Sequence, residues 1–192
     1  MLDALKPYFP ELSWTLFTPD ELQLVLHNLD GYGTDGPPAA QYLRAHATRF
    51  GYFPQAASGA GWTLRGNISV PPGTDLNNQR ILAALIHEVL HLQQTLTTRL
   101  SIQGELLGWQ LEYRAYHTAT GNYYGQPGQP FAGTAAQWQQ ISGLSPQSYP
   151  DLAQAQDLMV QVAPTYRAKM LPLFPLGRQV SYTIMQGFQR NV

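Results

Sequence analysis

Residues 75–94 read DLNNQRILAALIHEVLHLQQ, and their pattern is the strongest indication of the fold in this chain. No glycine or proline occurs from Leu76 to Gln103, and Thr74 or Asp75 can cap the start of a helix there. Apolar residues cover most of the surface that such a helix would present to its surroundings. The sequence therefore predicts one long, buried helix.

The pentapeptide His87-Glu-Val-Leu-His91 in this helix has the HExxH spacing of zinc hydrolases. A helix turns once in about 3.6 residues, so His87 and His91 share one face and can bind one zinc ion together. Glu88 is rotated by about 100° from His87, which places it beside the metal, where it can take a proton from a zinc-bound water. The alternative interpretation is a pair of hydrogen-bonded core histidines beside a salt-bridged glutamate.

A hydrolytic zinc site usually has three protein ligands and one water, so a third ligand is expected downstream of the histidines. The candidates are Glu105, Glu112 and His117. They fall in a second predicted helix, for which Ser101 is a suitable N-cap. We expect the chain to reverse at the start of that helix, where Gly104 is a weak point.

The height of a helical hairpin separates these candidates. The chain climbs about 15 Å over the roughly ten residues after His91, and the same descent along the second helix reaches Glu112. Glu112 then lies level with the histidines, whereas Glu105 lies roughly 10 Å short of them. His117 points about 140° away from Glu112. The arithmetic favours Glu112 as the third ligand and keeps Glu105 as the alternative.

The HExxH motif and the later glutamate together resemble the gluzincin branch of the zincin metallopeptidases, in which a helix glutamate is the third zinc ligand. Here Glu112 follows His91 by 21 residues. The segment Glu112-Tyr-Arg-Ala-Tyr116 also resembles the E-x-x-A-Y segment of small HExxH proteins. The resemblance covers about residues 67–118.

This resemblance implies a zinc ion bound by His87, His91 and Glu112. Glu88 would act as general base on the zinc-bound water and would then pass the proton to the leaving amine. Such a reaction also needs a donor that stabilises the oxyanion, and Tyr116 is the candidate catalytic residue on the face of Glu112. Further candidates for this donor lie in the C-terminal region, at Tyr166 and Arg167.

The resemblance implies an α+β, zincin-like fold that is mostly helical, with a small sheet packed on the HExxH helix. Residues 62–70 alternate partly between apolar and polar and are followed by two prolines, which predicts one strand. The resemblance implies that this is the edge strand that lies beside the active helix in zincins and pairs with an extended peptide, and the alternative is an ordinary strand of the sheet. We expect a single domain over residues 1–192, with a metal-site core at about 62–120, a Gly-, Pro- and Gln-rich loop at 121–150 and a helical region at 151–192.

Smaller signals predict the remaining elements. Thr18-Pro-Asp-Glu21 has the pattern of a capping box at the start of a helix. A further helix is expected from about Pro38 to Phe50. Towards the C-terminus we expect helices at Thr134–Ile141, Asp151–Val162 and Pro164–Leu173, and a final strand around Val180–Ile184.

Composition limits the classes of function. The formal net charge is −1, and the 11 Lys and Arg residues are scattered, which argues against a nucleic-acid-binding surface. The absence of cysteine excludes disulfides and zinc–thiolate sites. No run approaches the roughly 20 apolar residues of a membrane span, and the N-terminus lacks the features of a signal peptide. We therefore expect a soluble, cytoplasmic protein.

These observations predict a zinc-dependent hydrolase, and specifically a peptidase that acts on peptide or protein substrates. The alternative is a zincin-like binding or regulatory protein in which zinc is a structural clamp. Hydrolysis of a non-peptide amide or ester fits the same residues. The sequence leaves the substrate and the oligomeric state open.

Overall fold

The computed structural model describes residues 14–53, 59–63, 65–125, 133–163 and 168–180, and within them the fold is α+β, as the sequence predicts. The strands are β1 (Thr15–Leu16), β2 (Phe50–Tyr52), β3 (Gly61–Trp62) and β4 (Ile68–Val70). The helices are α1 (Pro19–Asp30), α2 (Gly36–Ala45), α3 (Gln79–Gln93), α4 (Leu96–Arg99), α5 (Ile102–Thr120), α6 (Ala135–Gly143) and α7 (Tyr149–Val162).

The four short strands form one mixed sheet in the order β1-β2-β4-β3. The parallel pair β2–β4 lies in the middle, and β1 and β3 join it antiparallel on either side. The prediction of a single strand over residues 62–70 is wrong. A turn closed by a hydrogen bond from the Thr63 N–H to the Asn67 carbonyl (2.9 Å) folds this segment into the hairpin β3–β4.

Helix α1 begins with the capping box that the sequence predicts. The Thr18 hydroxyl accepts from the Glu21 N–H (3.2 Å), and a Glu21 carboxylate oxygen accepts from the Thr18 N–H (2.7 Å). The other Glu21 oxygen accepts from the Tyr52 hydroxyl of β2 (2.7 Å), which ties the helix start to the sheet. These bonds hold the pKa of the Glu21 carboxyl below its usual value, and the bond from the Thr18 backbone is the largest cause.

The Glu21→Gln variant should therefore lose an acid-sensitive part of the stability. Because the pKa of Glu21 is lowered in the folded protein, its charge stabilises the fold above the ordinary value of 4.5, and this contribution is lost as the pH falls through the lower folded value. Melting temperatures followed by circular dichroism should be higher for the wild type at pH 7 and should converge in strong acid. A difference that is independent of pH would contradict this role of the Glu21 charge.

Helix α3 begins later than the sequence predicts. Two side chains upstream turn back onto the backbone: the Asp75 carboxylate accepts from the Asn77 N–H (3.0 Å), and the Asn78 side-chain oxygen accepts from the Arg80 N–H (2.9 Å). Such local bonds compete with helical geometry. The first helical residue is therefore Gln79.

Helix α3 also ends earlier than predicted, at Gln93. The Thr95 hydroxyl accepts from the Thr98 N–H (3.3 Å) and starts the separate short helix α4. Ser101 then caps α5 as predicted, because its hydroxyl accepts from the Gly104 N–H (3.2 Å). The lack of glycine and proline does not keep this segment in one helix, since a threonine hydroxyl offers the backbone another partner.

The described residues form two compact units. The first comprises the residues up to Leu92 together with Ala115–Gly121. The second comprises Gln93–Arg114 and the residues from Asn122 onward. Whether the chain folds as the single domain expected over residues 1–192 stays a prediction.

The cores of the two units differ in composition. In the first unit, aliphatic side chains from α1, α3 and the sheet are almost fully buried. The second unit also contains a cluster of aromatic rings: Trp109 stacks on Trp138 with ring centroids 5.1 Å apart, and the buried ring of Tyr124 meets Trp138 edge-on. The aliphatic core residues of the first unit include Val25, Leu29, Ile68, Leu82 and Leu85.

The smaller predictions have mixed outcomes. The helices expected at 134–141 and 151–162 are confirmed as α6 and α7, which are capped by Thr134 and Ser148. The helix expected to reach Phe50 ends at Ala45, and Phe50 lies in β2. Val180 is helical rather than extended.

Other predictions fall partly or wholly outside the described residues. Of the helix expected at 164–173, the structure describes a 3₁₀ turn at Ala168–Met170. The remainder of the expected C-terminal strand, beyond Val180, lies outside the described residues. Among the residues described, no helix is both long and apolar enough to cross a bilayer.

Candidate metal centre

The two histidines of the HExxH motif lie together on one face of α3, as the sequence predicts. His87 and His91 are both buried, and their Nε2 atoms are 2.9 Å apart. Two nitrogens bound to one tetrahedral zinc at about 2.0–2.1 Å would be about 3.3 Å apart, so a small opening of the pair admits the ion. The same distance suits a single N–H···N hydrogen bond, which is the alternative interpretation of the pair.

Glu105 joins the two histidines in a group that could hold a metal ion. One ligand atom from each of His87, His91 and Glu105 lies within 4.8 Å of the others, and all three residues are buried. Two imidazole nitrogens and one carboxylate oxygen are a donor set found in zinc enzymes. Within the described part of the chain, this set therefore fits a zinc ion by its chemistry.

The position at which α3 ends decides which glutamate can reach the histidines. Glu112 lies level with them only if the helix continues for about ten residues beyond His91 before the chain reverses. In the structure α3 ends at Gln93, and the next long helix, α5, begins at Ile102. The helix does not continue as far as the prediction requires. Glu105 lies in the first turn of α5, and Glu112 lies about two turns further along the same helix.

Glu112, the ligand that the arithmetic favours, is not part of this group. Its carboxylate accepts a hydrogen bond from the hydroxyl of Tyr124 (3.2 Å), whose ring is fully buried in the second unit. The Glu112 side chain is half-buried on α5. Glu105, the alternative that the sequence leaves open, is therefore the third candidate ligand.

Glu88 lies on α3 next to His87, and only 9% of it is exposed. Such a carboxylate is largely shielded from bulk water. The role of Glu88 as that base stays a prediction.

The other candidate site residues that the sequence suggests lie outside the group of three. Tyr116 is half-buried on α5, and its carbonyl accepts from the Thr120 hydroxyl (2.7 Å). Its role as oxyanion donor stays a prediction. His117 is also half-buried, outside the group of three. Two further candidates for the oxyanion donor lie outside the described residues, Tyr166 and Arg167.

Trp62, for which the sequence predicts only a place in a strand, is a neighbour of His91. Its ring lies 5.9 Å from the ring of His91, centroid to centroid. Trp62 belongs to β3, which is the last strand of the sheet within the described residues. The contact joins residues that are 29 positions apart, so no local sequence pattern predicts it.

Comparisons with protein-family models, with curated proteins and with solved structures give no significant match to this chain.

Proposed function

We propose that this protein is a zinc-dependent hydrolase, with His87, His91 and Glu105 as the metal ligands. The observation that carries the proposal is the buried group of two histidine nitrogens and one carboxylate oxygen, which lie within 4.8 Å of one another. Two imidazoles and one carboxylate are the protein ligands of a known class of catalytic zinc sites. The HExxH spacing supports hydrolysis over other zinc chemistry.

The proposed reaction assigns separate tasks to the residues of the motif. When bound, zinc supplies a Lewis acid and lowers the pKa of a coordinated water to about 7. Glu88 follows His87 directly and takes the proton that the nucleophilic water loses. It then gives this proton to the leaving group, so that one carboxylate serves as base and later as acid.

The sheet supports a peptide as the substrate class. Strand β3 pairs with β4 on one side and is the end strand within the described residues. Its Trp62 contacts the ligand histidine His91. An extended peptide that adds to a strand in this position would pass close to the histidines. This arrangement, together with the buried motif on α3, is the basis for proposing a zincin-like peptidase.

A second candidate function is a binding or regulatory protein in which zinc is a structural clamp. The burial of the group favours it: His87, Glu88, His91 and Glu105 are only 6%, 9%, 1% and 8% exposed. A structural zinc site is closed, whereas a catalytic site keeps one coordination position open to substrate. Hydrolysis would thus require that a substrate reaches a site with little solvent exposure.

Zinc content and peptide cleavage, measured on the same preparation, test the proposal. We expect about one zinc per chain by elemental analysis and cleavage of internal bonds in a mixed peptide library, read by mass spectrometry. A chelator should stop the cleavage, and added zinc should restore it. A preparation that folds, contains no zinc and takes up none would contradict both functions. Stoichiometric zinc without any cleavage would favour the structural role.

A further inference from the structure

A cavity of about 640 Å³ lies in the first unit, among residues of β1, α1, α2 and β2. This volume is in the range of about 300–1,000 Å³ that is typical of small-molecule sites. The wall is mostly apolar, and its side chains include Phe17, Leu22, Leu26, Leu43 and Phe50. None of the residues that line it belongs to the candidate metal group.

Three polar side chains at this cavity are Arg44, Thr48 and Arg49, and within the described ranges only that of Arg44 has a partner. Arg44 forms an ion pair with Asp30, in which its Nη1 donates at 2.9 Å. The side chain of Arg49, by contrast, makes no ion pair or hydrogen bond within the described ranges, and only its backbone N–H donates, to Asn67. Thr48 is 8% exposed, and its hydroxyl has no hydrogen-bond partner in the same part of the chain.

The backbone just before these two residues is strained. Ala47 lines the cavity and has a φ of 48°, and it is the one non-glycine residue with positive φ in the described ranges. Such a conformation is unfavourable for a residue with a Cβ and persists only where its surroundings require it. It occurs where the chain leaves α2 and places Thr48 and Arg49 at the cavity.

We propose that this cavity binds an amphiphilic monocarboxylate, such as a medium-chain aliphatic acid. The aliphatic chain packs against the leucine and phenylalanine side chains of the wall. The carboxylate accepts hydrogen bonds from the guanidinium of Arg49 and the hydroxyl of Thr48. Because Asp30 already neutralises Arg44, the site offers one uncompensated positive charge, which matches a monoanion better than a phosphate.

Titration calorimetry with octanoate and octan-1-ol tests both halves of this proposal. Octanoate should bind the wild-type protein, and Arg49→Gln should weaken its binding about tenfold, the loss expected for one charge-assisted contact. Octan-1-ol should bind the wild type and Arg49→Gln equally, because it carries no charge. The matched control is Arg65→Gln, an exposed arginine that does not line the cavity, and it should bind octanoate like the wild type.

A variant that fills the cavity completes the experiment. Leu22 is only half-buried, so Leu22→Trp can occupy the cavity without entering the core, and circular dichroism checks its fold. It should weaken octanoate and octan-1-ol binding alike, by about tenfold or more. The proposal is overturned if octanoate does not bind the wild type, or if Arg49→Gln binds it unchanged. The same titrations with chelator present show that the result is independent of zinc.

Discussion

Replacing Glu105 by glutamine is expected to weaken zinc binding by about 100-fold or more, whereas replacing Glu112 by glutamine should leave zinc binding unchanged. Loss of residues that only support metal ligands already reduces affinity by about 10- to 100-fold, so loss of a ligand should do at least as much. Glu105 belongs to the buried group with His87 and His91. Glu112 instead accepts a hydrogen bond from Tyr124.

The two variants are matched in chemistry and lie on the same helix. Each replaces one carboxylate oxygen by an amide nitrogen, and both positions are within α5. The glutamine at position 112 keeps an oxygen that can accept from Tyr124, so its fold should be retained. Competition with a chromophoric chelator gives both affinities. If Glu112→Gln weakened zinc binding and Glu105→Gln did not, Glu112 would be the third ligand.

Replacing Glu88 by glutamine is expected to leave zinc binding intact and to reduce hydrolysis by about 10²- to 10⁴-fold, the usual contribution of a general base. Glutamine has the shape of glutamate but cannot take a proton from the attacking water. Glu88 follows His87 on α3, but it is not part of the group of three ligand candidates. Its loss should therefore separate proton transfer from metal binding.

Cleavage of the peptide library by metal-loaded protein measures this effect. Glu112→Gln is the control, because it makes the same chemical change at a glutamate outside the group. If Glu88→Gln lost zinc together with activity, Glu88 would act on the metal itself. If the variant cleaved as fast as the wild type, another group would be the base.

The metal-binding face of α3 could be predicted from the sequence because it depends on local geometry alone. Positions i and i+4 of any helix share a face, and His87 and His91 obey this rule in the structure. The third ligand depends instead on where α3 ends, and that point is fixed by the Thr95 side-chain cap. A cap of this kind contributes only about 1 kcal/mol. It depends on one polar side chain, so the pattern of apolar residues does not predict it.

The sheet, like the third ligand, could be predicted from the sequence only in part. The α+β class and the capping box at Thr18 could be predicted, because both follow from local signals. The parallel pairing of β2 with β4 joins segments that are distant in sequence, and the turn after Trp62 divides what reads as one strand. Strand pairing at such separation depends on tertiary packing rather than on local propensity.

The proposed metal centre is one ion bound by His87, His91 and Glu105 together. An anomalous difference map from a zinc-loaded crystal, collected at the zinc absorption edge, would locate this ion. We expect one peak at about 2.0–2.2 Å from a nitrogen of each histidine and from a carboxylate oxygen of Glu105. A peak bound by Glu112 in place of Glu105, or no peak at the histidines, would contradict it.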